Sequence, residues 1–113
     1  MINFAAYNYR ELTYNNSTNK YSEVSDGTVQ AYAYLVPPMT SDIGIDVVEQ
    51  ARTGTLYVEE KNASMIADKI IQISINNKWF MLGVKTFICS EFRRMYRYVI
   101  TEAGYEVIPK VVV

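Results

Sequence analysis

Two carboxylate pairs, Asp42 with Asp46 and Glu59 with Glu60, come nearest in this chain to residues whose type and spacing do chemistry. Paired carboxylates run general acid–base reactions when their surroundings separate their pKa values, and with further oxygen ligands they hold a divalent cation. Neither pair has the rest of such a site. Glu59 and Glu60 are neighbours, which point to opposite faces on a strand. The stretch from Asp42 to Asp46 lacks the additional oxygen ligands of a calcium loop. Both pairs read as solvated surface. The sequence contains no histidine and a single cysteine, Cys89. That composition removes the Ser-His and Cys-His nucleophile pairs, the imidazole metal ligand and the zinc cage. The five glycines occur singly, so no phosphate-cradling loop is present. The expectation is a protein that is not an enzyme, with no catalytic, cofactor-binding or metal-binding residues and no cofactor.

At 113 residues, 50% of them hydrophobic and 20% charged, the chain suits one domain with a real core. Eleven basic against twelve acidic residues give a net charge of −1, whereas a domain built to grip phosphates carries a basic excess. No apolar run reaches the roughly 18 to 20 residues of a membrane span, and no basic segment followed by an apolar one opens the chain, so no membrane partner is expected. Cys89, a lone thiol in an apolar stretch, reads as buried filler.

The elements that would position any functional residue read as strands. Residues 1–26 are rich in Tyr, Asn, Ser and Thr without sustained period. They read as an extended N-terminal arm ahead of a domain at 27–113, an arm able to order by laying strands on a neighbour. From Thr28 to Val36 the pattern alternates, with Val29, Ala31, Ala33 and Leu35 inward and Gln30, Tyr32 and Tyr34 outward. Pro37-Pro38 ends that strand, and Met39 to Thr53 is read either as a long loop or as a loop holding one helical turn. Thr55 to Glu59 is a short strand with Leu56 and Val58 on one face. Ala67 to Phe87 is a hairpin turning near Asn76-Asn77-Lys78-Trp79. A turn centred on Asn77-Lys78 pairs Ile75 with Phe80, Ile73 with Leu82 and Ile71 with Val84, leaving Gln72 and Trp79 on a wetter face. Cys89 to Arg94 is a loop or a turn capped by Ser90. Met95 to Thr101 is a strand with Tyr96, Tyr98 and Ile100 on one face and Arg97 and Val99 on the other. The last strand, from Tyr105, carries Pro109 and so belongs at a sheet edge. The fold class expected is mainly β, a small antiparallel barrel or sandwich with one long loop and the arm.

Asp68-Lys69-Ile70, Ile75-Asn76-Asn77-Lys78-Trp79-Phe80, Leu82-Gly83-Val84 and the basic-aromatic strand from Arg93 to Val99 follow an order that resembles the head-closure (stopper) proteins of long-tailed bacteriophages. The Ala-rich strand from Ala31 ending at Pro37, behind a polar lead-in, fits the same resemblance. It implies a structural protein of the virion neck, assembled in the host cytoplasm. Identical subunits would form a ring, dodecameric by the resemblance with sixfold as the alternative. The ring would join a portal or adaptor protein to a tail terminator or tail tube protein, with transient contact to packaged DNA. Tyr32, Tyr34, Trp79, Arg97 and Tyr98 are the interface candidates, as outward-facing residues of types enriched in interface cores. Asp42, Ile43, Ile45 and Asp46 fall in the long connection, which by resemblance projects into the channel. The alternatives are a tail terminator or tail-completion ring protein, and an OB-like barrel that binds single-stranded nucleic acid through its tyrosines and Arg93, Arg94 and Arg97. For a chain with no ligand set, chelators should leave the thermal midpoint unchanged; stoichiometric bound metal in the purified protein would contradict the reading.

Overall fold

The computed structural model describes residues 3–36 and 52–110. Seven strands, β1 (Ala5–Asn15), β2 (Lys20–Leu35), β3 (Thr53–Glu59), β4 (Ile70–Ile75), β5 (Lys78–Cys89), β6 (Arg94–Glu102) and β7 (Val107–Ile108), form one mainly antiparallel sheet, with a single turn of helix, α1 (Glu60–Ala63), after β3. The expected β class holds. The order is β1-β4-β5-β6-β3-β2-β7, and β1 also pairs with β2, so the sheet curls into a ring. The ring is uneven. β1 meets β2 from Ala5 to Asn15 but meets β4 only from Tyr9 to Leu12, and β2 meets β3 only from Tyr32 to Leu35.

The inward faces are those the alternation predicts. Val29 and Ala31 of β2, Leu56 and Val58 of β3, Ile71, Ile73 and Ile75 of β4, Phe80 of β5 and Ile100 of β6 are buried together, with Ala63 and Ile66 closing one opening. Each of the larger side chains among them, withdrawn from water, contributes about 1.5–3 kcal/mol. Gly54 allows the close approach of β3 to β2, since a Cβ there would collide with the Tyr34 carbonyl oxygen.

Three local expectations are corrected. Residues 5–26 are not a free arm: they form β1 and the first part of β2, with Leu12 buried and Tyr7 and Tyr9 packed on the core. The β4–β5 register is displaced by two residues from the expected one, with Ile73 opposite Phe80 and Ile75 opposite Lys78. The turn is Asn76-Asn77, both with positive φ (52° and 64°), as a two-residue hairpin turn of the mirror-image type I class requires. Asparagine tolerates that backbone better than other residues bearing a Cβ. A two-residue slip keeps every side chain on its face, so the isoleucines still point inward. Cys89 is exposed rather than buried, because β5 runs on past the point where β4 covers it. The segment between Ser90 and Arg93 is a turn, in which the Ser90 hydroxyl accepts from the Arg93 amide (3.2 Å) and the Ser90 amide donates to the Arg93 carbonyl (2.9 Å).

The outer face of β4 is not wet. Gln72 is 0% exposed. Its Oε1 accepts from Arg10 Nε at 2.9 Å, its Nε2 donates to the Ala103 carbonyl at 3.4 Å, and the Arg10 guanidinium lies 4.0 Å from the Trp79 ring centroid. Burial lowers the Arg10 pKa from its ordinary value, opposed by the Glu23 carboxylate. Beyond Ala103 the chain lays Tyr105 5.0 Å from Tyr21, itself 5.0 Å from Tyr14. β7 then pairs in parallel with Tyr21 and Ser22 on the edge of β2 opposite β1, the edge position that Pro109 predicts.

Ile73→Ala should lower the stability by about 2–5 kcal/mol, the range for emptying a packed site. Gln72→Ala should cost about 1–3 kcal/mol through the polar groups it leaves unpaired. Urea unfolding of the two variants measures both, and a Gln72→Ala chain indistinguishable from the parent would show that the outer cluster contributes nothing.

Candidate interaction surface

Cross-strand pairing builds one broad outer face on β2, β3, β6 and β5. Tyr32 opposes Tyr57, Tyr57 opposes Arg97, and Arg97 opposes Thr86; in the adjacent row Tyr34 opposes Thr55 and Thr55 opposes Val99. Directly opposed residues leave the sheet on the same side, and in these strands that is the side away from Leu56, Val58 and Ile100. The Tyr32 and Tyr57 rings are tilted at 41° with centroids 6.0 Å apart. Tyr34 is 54% exposed and Val99 48%. A two-residue bulge in β5 sets Gly83 and Val84 against Val99, where a Cβ on Gly83 would sit 3.1 Å from the Val99 carbonyl oxygen and Val84 is 76% exposed. The result is a band of tyrosine and valine with one free-ended arginine. It suits covering by another protein surface.

Of the five interface candidates, the structure brings Tyr32, Tyr34 and Arg97 together on this band. Trp79 lies elsewhere, part-buried beneath Arg10. Tyr98 is corrected outright: it is 4% exposed and belongs to the core with Ile100, whose inward parity it shares. Tyr57, Val84 and Val99 complete the band and were not singled out from sequence; the outward parity of Tyr57 and Val99 in β-patterned runs was the available signal. Asp42, Ile43, Ile45 and Asp46 lie outside the described residues.

A second region lies where β5 and β6 run beyond the core. Phe87 and Tyr96 oppose each other with centroids 5.2 Å apart. Lys85 Nζ is 5.2 Å from the Tyr96 ring, Arg94 is 5.3 Å from Phe87, and Arg93 is 5.1 Å from Phe4. Arg94 also bonds both carboxylate oxygens of Glu60, which raises the arginine pKa, and Lys61 stands 3.5 Å from Glu59. Glu59 and Glu60 are thus engaged by separate cations rather than by each other. Among the described residues no group of three or more acidic or sulfur side chains is placed to hold a metal ion.

Scans of the chain against protein-family models, curated proteins and solved structures return no match.

The Tyr98 hydroxyl is buried with no hydrogen-bond partner among the described residues. Desolvation, followed by the nearby Tyr96 and Asp68, raises its pKa. The neutral phenol is the form the core accepts. Its contribution is therefore fully present below the ordinary tyrosine pKa of about 10 and is lost as the pH rises through the raised value. Tyr98→Phe should leave the fold intact, be neutral or stabilising by up to about 1–3 kcal/mol, and flatten the alkaline decline in stability. Melting curves between neutral pH and pH 11 test this, and a large loss at neutral pH would show that the hydroxyl is bonded.

Proposed function

We propose that this protein is a structural ring subunit of a bacteriophage neck: a head-closure (stopper) component that joins the portal or adaptor to the tail and retains packaged DNA. One observation carries the assembly part of the reading, the outer band on which Tyr34, Val84 and Val99 are exposed beside half-buried Tyr32 and Tyr57. Contiguous apolar patches of this kind on a small domain mark contact surfaces, and tyrosine is a residue of interface cores. The motif order around the β4–β5 hairpin, together with a mainly β ring-like domain and a connection of seventeen residues between β2 and β3, supports the choice of a neck component over other assemblies. The near-neutral charge speaks against a stable nucleic-acid grip, so contact with DNA in this reading is transient.

In this role the band is covered in the assembled neck, and the protein acts by fit rather than by chemistry. The native mass of the purified chain, alone and mixed with the adaptor and tail proteins of the same virion, provides the test. The expected result is a discrete multiple of the 13.0 kDa chain mass, formed alone or on mixing. Tyr34→Asp should keep a β-type circular dichroism spectrum and a cooperative melt while losing that assembly. A chain that remains monomeric in every mixture would overturn the proposal.

A further inference from the structure

The pairing pattern leaves two strand edges open. β4 pairs with β5 only as far as Met81, whereas β5 continues to Cys89 with β6 as its partner on the other side. The edge from Val84 to Cys89 therefore has no strand on it among the described residues, and 83–87 are all exposed. On β2, the edge opposite β1 is taken by β7 at Tyr21 and Ser22 and by β3 from Tyr32 to Leu35. Residues 23–31 between them have no strand partner on that side among the described residues. Open edges of this length present rows of amide and carbonyl groups that another strand can satisfy.

The charges on the two edges differ in sign. Lys85 lies on the β5 strand itself and Arg93 in the turn beyond it, with Arg97 one strand away opposite Thr86; Glu91 is the lone acidic residue of that turn besides the Arg94–Glu60 pair. β2 carries Glu23 and Asp26 along its open stretch; Arg10 of β1 stands opposite Asp26 and near Glu23, but neither carboxylate forms a salt bridge among the described residues, so the stretch keeps an acidic excess of one. Pairing β5 with a second β5 would stack like charges, which disfavours a two-fold contact. Pairing β5 with β2 of another copy joins opposite charges, and it uses two different patches of each subunit, as a ring requires. Resting on the ring reading above, we infer that subunits join by strand addition, the Val84–Cys89 edge of one copy lying against the 23–31 edge of the next.

Cys89, the one cysteine of the chain, ends the β5 edge and serves as a reporter. Cysteines introduced as Val24→Cys and Thr28→Cys sit toward opposite ends of the β2 edge, so that either strand direction brings Cys89 near one of them. With an added oxidant, the full chain bearing one of these substitutions should give a ladder of disulfide-linked dimers, trimers and larger species. The parent should give none, and Cys89→Ser should abolish the ladder. Independently, Lys85→Glu should raise the concentration for half-assembly at least tenfold, and combining it with Asp26→Lys should restore it. The inference is overturned if the parent itself forms Cys89–Cys89 dimers without ladders from the β2 variants. Assembly with no cross-link at either position and no effect of the charge exchange also overturns it, while leaving the ring itself standing. A chain that never assembles removes both.

Discussion

The four-residue seam between β1 and β4 holds the rest of the structure in place. Tyr9, Arg10, Glu11 and Leu12 face Ile73, Gln72, Ile71 and Ile70, and through them β1, already paired with β2, closes the sheet on itself. Once that seam is set, the isoleucines of β4 point at Val29, Leu56 and Ile100, and the ring has an inside. The polar cluster of Arg10, Gln72 and Trp79 lies on the outer side of the same seam, so both faces of this short contact are packed. Glu11 adds an ion pair to Lys69 at 3.6 Å, which at this exposure is a minor contribution.

The surface follows from the same geometry. Since the inward set is complete, Thr55 and Tyr57 of β3 and Arg97 and Val99 of β6 point outward, and with Tyr32 and Tyr34 they form a band of aromatic and β-branched side chains around one arginine. The band lies on paired strands rather than on loops, so its shape does not depend on a partner being present. The β5–β6 extension is built differently: cations lie over Tyr96 and Phe87, while Phe92 in its turn stays 90% exposed.

Much of this was legible in the sequence, and the failures have physical causes. Alternation located the inward residues of β2, β3 and β6, because period two is the direct trace of a half-buried strand. It left the β4–β5 register open, since a slip of two residues preserves every face; the observed register sets Ile75 opposite Lys78 rather than an apolar partner, and the backbone preference of Asn76 and Asn77 made the choice. The arm expectation failed because β1 turns only Tyr7 and Tyr9 to the core, while Leu12 is buried on the opposite face beside Ile70. A bulge at Val24 breaks the alternation of its partner as well. Gln72 was read as wet because polarity marks a side chain as outward, not as uncovered, and its cover comes from Arg10 and Ala103, 62 and 31 residues away. Tyr98 was legible as inward from its parity with Ile100, and choosing it for its aromatic character overrode that signal.

The seam also orders events in time. β1–β2, β4–β5 and β5–β6 are hairpins of neighbouring segments, whose ends meet at little entropic cost, whereas Tyr9 and Ile73 are separated by most of the chain's length. Contacts of high sequence separation are the slow ones to form. Closing the β1–β4 seam therefore carries the larger loop-closure cost, and until it closes the β1-facing edge of β4 is vacant. In a crowded pool of identical chains, that edge accepts the β1 of a neighbour as readily as its own. The shortness of the seam makes strand exchange between copies the characteristic error of this fold, and rapid docking of β1 its safeguard.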